Sequence, residues 1–156
     1  MRLKNKYFLF FLISFWFSGI FLNVLVPFFK LPAGLYLFGQ LCYSHVYHQI
    51  SEKTIFILGH PLLVCSRCFG IYTGIFITST ASLFMAFKNR LPIKYLFFSC
   101  IPMLLDVALH SVRIYNYSKM AAFLTGLLLG STGFFYILEA FEKLIVELKS
   151  QDRNFK

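Results

Sequence analysis

Four apolar stretches, each near the length needed to cross a bilayer, take up most of this chain and leave few folds open to it. About 30 Å of hydrocarbon needs roughly 20 helical residues. The first stretch runs from Tyr7 to Phe29, the second from about Val64 to Phe87, the third from Tyr95 to about Val112 and the fourth from Met120 to Phe141. In lipid, every backbone N–H and C=O must be satisfied within its own segment, so each stretch is expected to be a helix. The expected fold class is therefore all-α: one polytopic transmembrane domain over 1–156 with four transmembrane helices. Apolar residues make up 58% of the chain and charged ones 13%, too few charges to cover a soluble surface.

The first stretch follows Met1-Arg-Leu-Lys-Asn-Lys6 and superficially resembles a secretory leader. Its apolar run is longer than a leader's core and no small-x-small cleavage site follows it, so it reads as a retained anchor.

The net charge of +9 would suit nucleic acid, but the Lys and Arg residues lie between apolar runs and form no stripe or patch. Nucleic acid is not an expected partner; the lipid bilayer is. The same charges report orientation through the excess of Lys and Arg on cytoplasmic loops. With the N-terminus inside, the cytoplasmic set is Arg2, Lys4, Lys6, Lys88, Arg90, Lys94, Lys143, Lys149, Arg153 and Lys156. The external set is Lys30, Lys53, Arg67, Arg113 and Lys119, so the balance is 10 against 5. The segment from Leu31 to Gln49 is fairly apolar but carries Pro32, Gly34, Gly39, Gln40, His45 and His48. Were it a span, every later segment would invert and the balance would fall to 7 inside against 8 outside. It is expected to lie in the outer interface, or to dip in and return under protein cover. The reading is a multi-pass protein of the bacterial cytoplasmic membrane with both termini cytoplasmic.

Gly70 and Gly74 form a GxxxG pair in the second span, and Gly126 and Gly130 another in the fourth, with Gly133 beyond. Such spacing lets helix backbones approach closely, within the chain or in a homo- or hetero-oligomer. The tail from Glu142 onward is amphipathic and then polar, as for a cytoplasmic extension of the fourth helix.

Unusual polar residues fall in two places. The first reads Cys42-Tyr-Ser-His45-Val-Tyr-His48-Gln49, then Gly59-His60-Pro61, then Cys65-Ser66-Arg67-Cys68; the second is the outer part of the third span, with Asp106, His110 and Arg113. The topology puts both at one face of the membrane. Cys65 and Cys68 are expected at the start of a helix, where the helix dipole, free N–H groups and Arg67 lower a thiol's pKa. Both metal binding and disulfide exchange need such thiolates. Cys65 and Cys68 offer two sulfurs to one tetrahedral ion, with His48 and His60 as nitrogen ligands, which points to zinc. The plainer alternative is a pair of small lipid-shielded residues. Asp106 lies one to two turns inside the membrane, where an ionisable group is costly. Asp106, His110 and Arg113 are spaced i, i+4 and i+7 on one expected helix face. They are the candidate catalytic residues: an Asp–His pair orienting a metal ligand, a proton-handling pair, or an anion-binding Arg held by its carboxylate. An ion pair that merely locks helix packing is the structural alternative. Cys42 is a further candidate ligand or resolving thiol, and Cys100 reads as an apolar filler.

The residues His48-Gln49, Gly59, Cys65-Ser-Arg67-Cys68-Phe-Gly70-Ile-Tyr72-Thr-Gly74, Pro102, Asp106, Arg113, Asn116 and Thr125-Gly126 resemble the pattern of small predicted bacterial membrane proteins grouped as domain of unknown function 2085. The resemblance covers about two-thirds of the chain. It implies the architecture and which residues matter, but no reaction. Where the family shows Cys-His-Gln, Tyr47 precedes His48 here, and the family's Glu-Arg-Ser-Phe stands as Glu52-Lys53-Thr54-Ile55.

Three functions fit these residues. One is an outward-facing zinc site on Cys65, Cys68, His48 and His60. Another is a membrane thiol–disulfide oxidoreductase passing electrons between external thiols and a quinone. The third is a non-enzymatic assembly subunit whose polar cluster only stabilises the bundle.

Overall fold

The computed structural model describes residues 3–29, 32–44, 51–84, 92–114 and 116–154. The first apolar stretch does not run straight. It forms α1 (Leu3–Gly19) and α2 (Leu22–Phe29), which meet at a bend of 70°. The bend sits where the chain gains partners outside the helix: the Tyr43 hydroxyl donates to the Trp16 carbonyl at 2.6 Å, and the Leu63 N–H donates to the Ile20 carbonyl at 3.4 Å. A Cβ on Gly19 would lie 2.6 Å from the Tyr43 hydroxyl oxygen, so glycine makes room for the tyrosine that braces the corner.

The segment expected at the interface forms α3 (Ala33–Ser44). Its 12 residues reach about 18 Å at 1.5 Å per residue, too short to cross hydrocarbon. It packs on α2 and on a feature the hydrophobic pattern did not reveal, an antiparallel hairpin of β1 (Thr54–Ile57) and β2 (His60–Cys65). Leu58 and Gly59 link the strands with φ of 52° and 80°, the positive values of a two-residue primed hairpin turn. Leu62, Leu63 and Val64 are all buried, so the strand lacks the period-2 alternation that would distinguish it from the start of a helix. The second span therefore begins later than Val64. The hairpin, α2 and α3 enclose one apolar cluster of Ile20, Val24, Tyr43, Leu62, Leu63 and Val64.

Below this cap stand α4 (Ser66–Phe84), α5 (Lys94–Ser111) and α6 (Lys119–Asn154). The last continues for 36 residues, so the expected extension of the fourth helix is present. Helices α4 and α6 run parallel and meet glycine to backbone. A Cβ on Gly70 would overlap the Phe123 carbonyl and one on Gly74 the Leu127 carbonyl; reciprocally, Gly126 faces the Arg67 carbonyl and Gly130 the Ile71 carbonyl. Both GxxxG pairs are thus used inside the chain, against each other. Helix α1 lies antiparallel to α4, with Lys6 donating to the Ser82 carbonyl at 3.1 Å and Phe17 stacked 4.8 Å from Phe76. Leu9, Phe134 and Leu138 form a second buried cluster near that end. On α5, Ser99 receives the Thr132 hydroxyl of α6 at 2.7 Å.

The described residues are predominantly helical, in six α-helices. By length and apolarity α6 can cross a membrane alone, over Lys119–Leu148, and α1 with α2 can do so as one bent pair. The remaining two expected spans, α4 and α5, have 19 and 18 residues and do not meet that measure singly.

Candidate functional site

The Cys65–Cys68 turn and Asp106, from the two polar regions, are brought together at the capped end of the bundle by Arg67. Cys65 ends β2 and Ser66 opens α4, so Cys65 stands immediately before the first helical residue. Its sulfur accepts the Cys68 N–H at 3.4 Å, the bond by which an N-cap side chain satisfies the third helical residue. The corner is fixed from both sides. The buried Ser66 hydroxyl donates to the Lys53 carbonyl at 2.9 Å, Thr54 pairs with Cys65 across the hairpin, and Lys119 of α6 donates to the Thr54 carbonyl at 2.8 Å. Cys65 lies on the strand and is half-buried. The hydrogen bond from the Cys68 side chain lowers its pKa to about 6; further help from the Cys68 and Arg67 N–H groups and the Arg67 charge outweighs its partial burial. A thiolate held at a helix start beside a second thiol is the form that attacks disulfides and binds metals.

Arg67 donates to the Asp106 carboxylate in an ion pair between α4 and α5. Asp106 is buried and most of the Arg67 side chain is covered. Asp106 was expected to share a helix face with His110 and Arg113; Asp106 and His110 do stand four residues apart on α5, and an ionic partner for Asp106 comes from the neighbouring helix. Both members were visible as charges in or near apolar segments, but spacing along one chain segment cannot pair residues across helices. The ion pair places Asp106 beside the Cys65-x-x-Cys68 turn.

Arg113 departs from the expected face. Helix α5 ends at Ser111, and Arg113 adopts a φ of 57°. His110 lies with its ring 5.3 Å from Tyr117. His110 and Arg113 line a polar cavity of about 440 Å³ with Glu52, Lys53, Asn116 and Tyr117; of these, sequence reasoning missed Glu52, Lys53 and Tyr117 as site residues.

His60 is not with the cysteines. It opens β2, paired with Ile57 beside the turn, while Cys65 closes the same strand. Five residues of strand put them about 16 Å apart at 3.3 Å per residue. His48 and His45 lie outside the described residues. Among the described residues no group of three His, Cys, Asp or Glu side chains converges as a metal site. The donor set offers a zinc ion two sulfurs and no third described ligand. Cys42, on α3, packs against the same apolar cluster as Cys68.

A family model described as a predicted membrane protein, domain of unknown function 2085, matches residues 47–136. That range holds the hairpin, the cysteine pair, Asp106, the cavity residues and most of the glycine interface. The chain belongs to this family. An uncharacterized protein of Methanocaldococcus jannaschii is 34% identical over 150 residues, covering 90% of this chain and 96% of the relative. The relative is archaeal, so the likeness reaches beyond the bacterial setting expected from the sequence. No solved structure matches the chain. Membership makes this domain of unknown function 2085 protein a predicted membrane protein.

Proposed function

We propose that the protein crosses the membrane four times, through the bent α1–α2 pair, α4, α5 and α6, with both termini cytoplasmic, and that its outer end carries out thiol–disulfide exchange through Cys65 and Cys68. The four-span reading is supported by an inverted surface. Phe11, Phe15, Phe97, Phe98 and Leu104 are exposed, while Ser79, Ser82, Ser99 and Asp106 are buried. A bundle that shows phenylalanine outside and keeps hydroxyls inside is matched to lipid. The alternation of α1, α4, α5 and α6 also leaves the hairpin end on one side and Lys6 with the α4 C-terminus on the other.

The observation that carries the chemical reading is the Cys65 sulfur at the start of α4, bonded to the Cys68 N–H. In the oxidising direction a substrate thiolate attacks the Cys65–Cys68 disulfide at the Cys65 sulfur; that S–S bond breaks and Cys68 takes up a proton. The second substrate thiolate then attacks the substrate sulfur of the mixed disulfide and displaces Cys65 as a thiolate, for which its low pKa suits it. The substrate loses two electrons. A membrane quinone of the surrounding lipid takes two electrons from the Cys65 thiolate and Cys68 thiol, with one proton from Cys68 and one from water, becomes the quinol, and restores the disulfide.

Acid-quenched thiol trapping of the protein in membranes tests this. Addition of a quinone should convert Cys65 and Cys68 together to the disulfide, and a dithiol should reverse it. Offered a small-molecule disulfide, Cys68→Ala should accumulate the mixed disulfide on Cys65: the Cys65 thiolate attacks, the added S–S bond breaks, its other half leaves as a thiolate, and no Cys68 thiol is present to resolve the product. Alkylation of Cys65 in the reduced protein should follow a midpoint of about pH 6, level off above about pH 7, and shift upward in Cys68→Ala. Cysteines that stay reduced when the quinone is added, or stay oxidised when the dithiol is, defeat the proposal. A second reading, zinc held by Cys65, Cys68 and His48, is favoured by the same two sulfurs at one helix start. Stoichiometric zinc that is lost in Cys65→Ser would select it.

A further inference from the structure

We infer that the cavity at the end of α5 binds a phosphate-bearing anion, with Arg113 as its principal ligand. Helix α5 closes with two bonds, Arg113 N–H to the His110 carbonyl at 3.0 Å and Ile114 N–H to the Leu109 carbonyl at 3.1 Å. This is the Schellman closure, whose left-handed position is normally glycine. Here that position, at φ 57°, holds an arginine, one of two described non-glycine residues with positive φ. A strained side chain at a cavity wall is retained when the group it carries is needed there.

The surroundings supply that need. Lys53 and Arg113 are two basic side chains on a cavity of about 440 Å³ whose remaining walls are Glu52, His110, Asn116 and Tyr117. The Lys53 ammonium lies 5.8 Å from the Tyr117 ring centre, and the Lys53 backbone is tied to Ser66. Glu52 is the one acid in this lining, so the cavity is cationic on balance. A guanidinium fork, an ammonium and the Asn116 amide together offer more donors than a carboxylate accepts, and they suit a tetrahedral oxyanion. The volume exceeds a bare oxyanion and leaves space for an attached group. Arg113 is flanked by exposed Val112 and Ile114, apolar neighbours suited to the edge of the lipid. The phosphate could belong to a phospholipid headgroup or to a soluble phosphate ester, and the test separates the two.

Full-length protein in a phosphate-free detergent is titrated in one arm with glycerol 3-phosphate and in the other with short-chain phosphatidylglycerol, reading the thermal unfolding midpoint. The expected result is a saturable rise in one arm, which names the source. Arg113→Gly should weaken it at least about tenfold, with a probe-free midpoint no lower than that of the unmutated protein, because glycine suits the left-handed position. Arg113→Asn, which also tolerates that conformation, should behave likewise. No saturable rise in either arm, an undiminished rise in both variants, or a lowered probe-free midpoint in both would overturn the inference. The last result would make Arg113 a brace of the helix end.

Discussion

Gly130→Leu is expected to destroy the bundle. The new side chain would start inside the Ile71 carbonyl region of α4, and a backbone carbonyl cannot rotate away as a side chain can. Helices α4 and α6 would have to separate along the whole glycine seam, from Gly70 and Gly126 to Gly74 and Gly130. The expected loss is about 3 kcal/mol or more, read as a collapse in the yield of monodisperse protein and a large fall in thermal midpoint. Gly133→Ala in the same helix is the contrast. Nothing lies within 4 Å of a Cβ at that position, so the change should be neutral or stabilising by up to about 1 kcal/mol. Equal damage from both substitutions would mean that close α4–α6 packing is not what holds the bundle.

The second large effect is expected at Asp106. Removing its carboxylate in Asp106→Ala leaves the Arg67 guanidinium mostly covered without its ionic partner, and breaking such a pair from one side costs about 3–5 kcal/mol. Replacing both members, Arg67→Met with Asp106→Leu, removes the charge together with its counter-ion and should recover most of that loss. A double-mutant cycle on the thermal midpoint measures the coupling. Additive single effects would show that the pair does not lock α4 to α5. The cysteine chemistry offers an independent readout, since loss of the Arg67 charge should raise the pH midpoint of Cys65 alkylation even where stability is restored.

The parts of the fold legible in the sequence were those with a local physical signature. Apolar length marked the long helices, the GxxxG spacing marked both faces of the α4–α6 contact, and Cys65-x-x-Cys68 lay at a helix start as expected. Features that depend on distant partners were not legible. The bend after Gly19 follows from the hydroxyl of Tyr43 and the N–H of Leu63, neither of which is near it in sequence. The hairpin was hidden because Leu62, Leu63 and Val64 are buried in succession, so no period-2 alternation marks the strand before the helical stretch that was expected from about Val64; the Leu58-Gly59 dipeptide was the available turn signal. His60 looked close to Cys65 by sequence separation, yet an extended strand sets them at opposite ends. The Arg67–Asp106 pair and the Lys53–Arg113 cavity needed the third dimension altogether.

Everything proposed for the cysteines rests on the hairpin end facing outward from a lipid-embedded bundle. A membrane-impermeant maleimide applied to intact, reduced cells carrying Cys42→Ala and Cys100→Ala variants of the protein tests that directly. Labelling of Cys65 from the outside, with a C-terminal tag accessible only after the membrane is permeabilised, is the predicted result. Labelling of Cys65 only after permeabilisation would contradict it.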